Sequence, residues 1–492
     1  MKFRLVAAAA LALASPLSAA SIVAPAPQLS TQLQQYVRVP PGRIALTHVQ
    51  VIDGTGAAAV DDQTVLIDGS RIAAVQAASA PLPAGYQSLD LTGATVMPGI
   101  VGMHNHMFYI ARPNLDAAGH FEDPLVVPQM TFSAPRLYLA NGVTTMRTTG
   151  SVEPYADLNV KREIDAGKLV GPHMDVTGPY LEGPNSPFIQ MHQITSPENA
   201  RRTVAFWAEQ GVTSFKAYMN ITRAELKAAI DEAHRRHLKI TGHLCSVTYP
   251  EAAQLGIDDL EHGFFVNTQL DPGKQPDKCT PTVGTPTLVT MKPRTAEANS
   301  LIGLLVSKHV AITSTLPVFE QSLALHAPLN PRAMEVLTLE AREAYLYNRN
   351  RSATRGPTPA GQQFAEAYRN DLGLERQFVA AGGLLIAGPD PTGNGGVIPG
   401  FSDQRELELL VEAGFSPLEA IRIGTLNGAT YLGLADRIGS IAPGKNADLI
   451  VVRGNPAANI NDIEKVDMVF KDGIGFDSAK LLESVRGRYG EY

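Results

Sequence analysis

Two histidines one residue apart, His104 and His106, close an apolar run that begins at Thr95. On a β-strand, side chains i and i+2 project to the same face. Both imidazoles are therefore expected to point together from the end of a buried strand. Two neutral imidazoles side by side make half of a zinc-type site. Other residues of ligand chemistry end later strand-like runs. Lys216 lies in Ser-Phe-Lys-Ala-Tyr, His243 follows Lys-Ile-Thr-Gly, His262 follows Asp-Leu-Glu, and Asp390 sits in Gly-Pro-Asp-Pro. Singly, each has a plainer role as a core histidine, a packed lysine stem or a turn former. Together at strand ends, in this order, they point to a metal centre. The chain has only two cysteines, Cys245 and Cys279, and no Cys-x-x-Cys, so the ligands must be His and carboxylate groups.

The elements that position these residues follow from the rhythm of the chain. Strand-like runs at 95–101, 143–147, 173–177, 212–217, 239–243, 259–262, 310–313 and 384–387 alternate with helix-like or longer segments. Ser196-Pro197-Glu198 opens one helix that Gly211 stops, and Thr222 with Glu225 forms a capping box for the next. Eight strands alternating with helices predict an α/β fold, a (β/α)8 TIM barrel over 95–436. Short β-prone runs at 44–94 and 437–475 flank it and are expected to pack together as one small β-sandwich. Residues 21–43 read as an extended lead-in. The segment 325–371 is too long for a simple connection and is expected to cap the site.

Composition narrows the function. The chain of 492 residues is 44% hydrophobic and 18% charged, ordinary for a globular protein. A formal charge of −7 without a basic stripe argues against a nucleic-acid partner. Lys2 and Arg4, the apolar run 5–14 and Ser18-Ala19-Ala20 read as a signal peptide over 1–20. That run is too short to span a bilayer. An exported protein is expected, periplasmic or secreted, with no membrane association after the leader is removed. In an oxidising compartment Cys245 and Cys279 can form one bridge.

On these residues the chain resembles the amidohydrolase superfamily, over nearly everything after residue 20. His104-x-His106 is similar to that family's first-strand motif. Lys216 matches the lysine of its binuclear members, which is carboxylated by CO2 and bridges two metals. His243, His262 and Asp390 match the remaining ligands. Residues 416–421 with Thr425, Asn427 and Ala429 resemble its last barrel helix, and 439–452 its returning β segment. The most similar subfamily is that of imidazolonepropionase-related, Xaa-Pro dipeptidase-like amidohydrolases. One departure is Gly-Pro-Asp-Pro around Asp390, where Gly-Thr-Asp is commoner.

The resemblance implies two divalent ions, zinc by preference. His104, His106 and Asp390 would hold one ion and His243 and His262 the other. A desolvated lysine loses its proton readily and can then take up CO2. Two such metals can share a hydroxide and lower its pKa, while Asp390 carries the proton to the leaving amine. Activity should fall in acid, because the ligands must be deprotonated. Tyr218 is a candidate for stabilising an oxyanion or binding substrate. Tyr180, His173 and His192 are further substrate-pocket candidates. The expected activity is hydrolysis of an amide in a dipeptide or N-acyl amino acid, with a small molecule or short peptide as partner. Two alternatives stay open: an esterase, lactonase or phosphotriesterase-like hydrolase on the same site, and a non-catalytic barrel serving in binding or assembly. A homo-oligomer is compatible with all three.

Overall fold

The computed structural model describes residues 28–111, 125–186, 188–392 and 396–491. The expected leader lies outside them. Eight parallel strands follow one another: Ile100–Asn105, Val143–Thr148, His173–Val176, Ser214–Ala217, Lys239–Gly242, Asp259–Glu261, Ala311–Ser314 and Leu385–Ala387. Nearly all their residues are buried, as expected where helices cover a parallel sheet. The first three strands pair as one sheet and the last five as another. Isolated parallel bridges, Thr177 to Ser214 and Leu181 to Ala217, link the third strand to the fourth. At the other edge the Asp390 amide donates to the His104 carbonyl at 3.0 Å. The continuous barrel sheet expected from the sequence is therefore present as two parallel sheets with these links.

The helices begin where their caps predict. Ser196 accepts from the Asn199 amide, and Gly211 ends Pro197–Gln210 in the left-handed region at φ 103°. Thr222 and Glu225 cap Arg223–Arg235 reciprocally.

The expected first strand, 95–101, is really two. Ala94–Pro98 pairs antiparallel with Leu449–Arg453, whereas Ile100–Asn105 pairs with Val143–Thr148. The chain crosses between them at Gly99, where a Cβ would lie 2.0 Å from Thr144 Oγ1. No side chain fits at that crossing.

The flanking β segments also differ from expectation. They pair as one nine-stranded sheet, and the expected sandwich is not seen as two separate sheets. Ala94–Pro98 bonds to Leu449–Arg453 on one edge and to Gln50 and Val51 on the other. Backbone pairing thus stitches the N- and C-terminal segments edge to edge. Leu46, Val65, Val96, Val451 and Phe470 share a separate core on this sheet. The described part of the lead-in joins it too, through Val37–Val39 against Ile474–Asp477.

The long segment after the seventh strand is helical: Pro331–Val336, Leu339–Arg355 and the start of Pro359–Ala380. Ser352 Oγ donates to the Gln321 carbonyl at 2.7 Å, tying it to the end of the seventh strand's connection. Cys245 and Cys279 are joined, with Cα atoms 4.8 Å apart. Among the described residues, no helix is long and apolar enough to cross a membrane.

Candidate metal centre

His104 lies on the first parallel strand and His106 just beyond its end. Tyr138, on helix Ser133–Ala140, fixes that turn: its hydroxyl donates to the His106 carbonyl at 2.7 Å and accepts from the His106 amide at 3.1 Å. Both imidazoles converge on one carboxylate. Asp390 Oδ1 lies 2.9 Å from His106 Nε2 and 3.5 Å from His104 Nε2. Lys216 Nζ donates to His104 Nε2 at 3.0 Å. His262 Nδ1 lies 2.9 Å from Thr315 Oγ1 and 3.9 Å from Asp390 Oδ2. The His243 ring is 4.4 Å from that of His262. All six sequence-selected residues thus meet at the strands' C-terminal ends. His106, Lys216, His243, His262 and Asp390 line one small pocket of about 60 Å³ with Tyr180, Tyr218 and Thr392.

Two of these residues have unusual backbones. His262 and Asp390 sit at φ 72° and 58°, in the left-handed region that L-residues rarely occupy. Strain of this kind is found where a fold forces a side chain toward a site.

Electrostatics suit a cation. Burial lowers the pKa of His104, His106 and His262, and brings His243 down to about 3, so the imidazoles are neutral. Burial lowers Lys216 to about 8, against the opposing pull of Glu261 and Asp390. Burial would raise Asp390, but His104, the His106 hydrogen bond and Lys216 outweigh it and hold the carboxyl ionised. Burial raises the phenols of Tyr218 and Tyr180, which therefore stay protonated as donors. His262 Nε2 is buried without a hydrogen-bond partner. Neutral imidazoles, an ionised carboxylate and an unpartnered buried ring nitrogen together fit a divalent cation.

The amidohydrolase family profile matches residues 95–309 and 393–474, more than half of the chain. The chain belongs to the amidohydrolase family. It is 24% identical over 426 residues to an imidazolonepropionase of Porphyromonas gingivalis, covering 84% of this chain and 86% of that protein. A match to an adenine deaminase of Ligilactobacillus salivarius is 39% identical but spans 67 residues, 14% of this chain and 11% of the relative. Among solved structures, a candidate prolidase from Bifidobacterium longum superposes with a TM-score of 0.64 at 25% identity, covering 91% of this chain and all of that one. A Xaa-Pro dipeptidase with bound methionine gives a TM-score of 0.65 at 20% identity, over 89% of this chain and all of that one.

Two substrate-pocket expectations fail in this amidohydrolase. His173 is the first residue of its strand, at the end opposite the pocket. Its Nε2 instead faces Asp472 at 3.3 Å and Asp448 at 3.7 Å, joining the parallel strands to the nine-stranded sheet. His192 is exposed and lines a separate hollow with Tyr155, Phe206 and Trp207. Tyr180 and Tyr218 do lie at the pocket, with rings 5.0 Å apart, and Tyr218 is 4.8 Å from the His243 ring.

The sequence reading missed the groups beneath the histidines. His104 Nδ1 donates to Glu261 Oε2 at 2.6 Å, which leaves Nε2 as the acceptor that faces Lys216 and Asp390. Arg147 Nη2 donates to Glu261 Oε1 and Asp259 Oδ2, each at 2.9 Å, in the fully buried centre. The available signal was an arginine in an otherwise uncharged strand and two acids at i, i+2 in a short buried one.

Proposed function

We propose that this amidohydrolase is a metal-dependent hydrolase that cleaves the amide bond of a dipeptide or an N-acyl amino acid. The observation that carries this is the convergence of His106, Lys216, His243, His262 and Asp390 on one pocket at the strands' C-terminal ends, with His104 bonded to Lys216 beside it. Barrel enzymes place their chemistry at that end. On this reading the two parallel sheets close as one (β/α)8 barrel. The names of the prolidase-like and imidazolonepropionase relatives support carbon–nitrogen chemistry.

His104, His106 and Asp390 would hold one divalent ion, zinc by preference, and His243 and His262 a second, with Lys216 between them. Bound there, such ions supply Lewis acidity and a water of lowered pKa. Lys216 would supply an anionic ligand to both ions once its neutral Nζ had attacked the carbon of CO2. A nitrogen–carbon bond forms, one proton leaves to solvent, and a carbamate anion with two oxygens results. A pKa of about 8 makes the neutral amine accessible near neutrality. Asp390 takes a proton from the attacking water and returns it to the leaving nitrogen. Tyr218 donates to the substrate carbonyl oxygen as charge develops there.

A panel of a dipeptide, an N-acyl amino acid, an ester and a lactone, combined with metal analysis, tests the reading. Turnover of the amides with bound metal is expected. Turnover of the ester or lactone alone would favour the esterase alternative, and no metal with no turnover a binding scaffold. Export is proposed from the first twenty residues. A mature N-terminus at or near Ser21 is expected by mass spectrometry of the native protein, and an intact Met1 would remove the proposal.

A further inference from the structure

Ligand chemistry recurs at the other end of the parallel strands, away from the pocket. His173, Asp448 and Asp472 meet there from three separate stretches of chain. His173 opens the third parallel strand directly after Gly171 and Pro172. Asp448 directly precedes strand Leu449–Arg453, and Asp472 sits in the tight turn between Val466–Lys471 and Ile474–Asp477. These last three strands are neighbours in the nine-stranded sheet, and Leu449 pairs with Phe470. That register brings Asp448 and Asp472 to one end of the sheet, where both face His173 across the junction.

Each carboxylate spends one oxygen on the protein and turns the other to the same ring nitrogen. Asp448 Oδ1 accepts from the Asp472 amide at 2.7 Å, which leaves Oδ2 facing His173 Nε2 at 3.7 Å. Asn446 Nδ2 touches that Oδ2 only at 3.4 Å. Asp472 Oδ2 pairs with Lys471 Nζ at 3.2 Å, which leaves Oδ1 facing His173 Nε2 at 3.3 Å. His173 Nε2 is itself buried, yet neither oxygen is placed to accept a hydrogen bond from it. An aligned charge-assisted hydrogen bond would close to about 2.7–2.9 Å. Tetrahedral zinc, with bonds of about 2.0–2.2 Å, holds its ligand atoms about 3.3–3.6 Å apart. The two spacings to Nε2 are close to the second pattern and not to the first, and all three ligand atoms lie within 4.8 Å of one another.

The charges agree with the geometry. Asp448 is almost fully buried, and burial raises its pKa against the pull of His173. Burial would raise Asp472 too, but His173 and Lys471 outweigh it and keep that carboxyl ionised. Lys471 offsets one of the two carboxylates, and a divalent ion would offset the other. The His173 ring is partly exposed, which gives an ion and its water a way in.

We propose that His173, Asp448 and Asp472 form a second metal site that takes a zinc-type divalent ion, with water in the remaining position. One imidazole and two carboxylates suit such an ion, whereas calcium takes six to eight oxygens. The N-terminal ends of barrel strands serve stability and not catalysis. The ion is therefore structural, and it ties the third parallel strand to the nine-stranded sheet. The inference does not rest on the hydrolase reading.

The test counts zinc in the full chain after equilibration with buffered micromolar free zinc. The parent is compared with His173→Gln and, separately, with Asp472→Asn. Each variant should hold one zinc ion fewer than the parent. An anomalous difference map at the zinc edge, from crystals of the unaltered protein grown with zinc, should show a peak between His173 Nε2, Asp448 Oδ2 and Asp472 Oδ1. Equal zinc content in the parent and both variants, or a map without that peak, would overturn the inference and leave the group as an ion pair. The map is read on the parent, so it decides the matter even where a variant fails to fold. Count and map need no substrate, and they stand whether or not the protein cleaves an amide.

Discussion

Glu261 Oε2 stands 2.6 Å from His104 Nδ1, and both side chains are fully buried. The carboxylate does two things through one contact. It fixes the tautomer that leaves His104 Nε2 free to face Asp390 and Lys216, and it turns the ring. Arg147 holds the other oxygen of Glu261 and so fixes the carboxylate in turn. His104, a candidate ligand, is thus seated on a charged layer between the strands.

Glu261→Gln keeps the shape and removes the anionic acceptor. Metal affinity is expected to fall by about 10–100-fold, the usual cost of losing such a partner. Competition with a chromogenic chelator reads this directly. Unchanged affinity would mean that His104 is oriented by packing alone.

A second group of buried acids should set how stability depends on pH. Asp371, Glu375 and Glu406 lie behind the site, and burial raises the pKa of each, that of Glu406 to about 8. Below the ordinary value of 4.5 the Glu406 carboxyl is protonated in both folded and unfolded chains and contributes no pH dependence. Between that value and about 8 the unfolded chain ionises while the folded one keeps its proton, so stability falls as pH rises. Glu406→Gln should flatten this slope. Melting temperatures of both proteins at pH 5 and pH 8 check it, and an equally steep loss in the variant would assign the dependence elsewhere.

The Cys245–Cys279 bridge spans 34 residues and pins the end of the fifth strand to the loop after the sixth. The unfolded, unreduced protein should show no free thiol, and reduction should release two. Replacing both cysteines with alanine should cost about 3–4 kcal/mol in the chain-entropy account. Denaturant unfolding of the double variant measures that loss.

Asp390→Asn should separate binding from chemistry. The amide can still place an oxygen toward the cation but cannot carry a proton. Metal should be largely retained while kcat falls by about 10²–10⁴. A variant that keeps its full rate would remove Asp390 from proton transfer.

Much of this site was legible because its chemistry is local. Each of His104, Lys216, His243 and His262 ends a recognisable apolar strand, and strand ends converge in a parallel α/β fold whatever the details of packing. Capping residues such as Ser196 and Thr222 act within one turn and were equally plain. The rest depended on contacts far apart in the chain. Arg147 meets Glu261 across 114 residues, which no local pattern reveals. His173, a pocket candidate from the sequence, stands at its strand's start and so lies at the opposite end. Alternation in the flanking β segments shows which face is buried, not which edges pair, so the nine-stranded pairing is not evident from the sequence. The close approach of Thr144 that leaves no room for a side chain at Gly99 comes from another strand.

In the proposed function Lys216 bridges two metals. The most direct measurement is metal content and kcat together on Lys216→Ala. Loss of the bridging anion should lower both in parallel, and a short carboxylic acid added to the variant should restore part of each. Retention of two metals per chain with undiminished kcat would contradict the account and leave a mononuclear site of His104, His106, His243 and Asp390 as the better description.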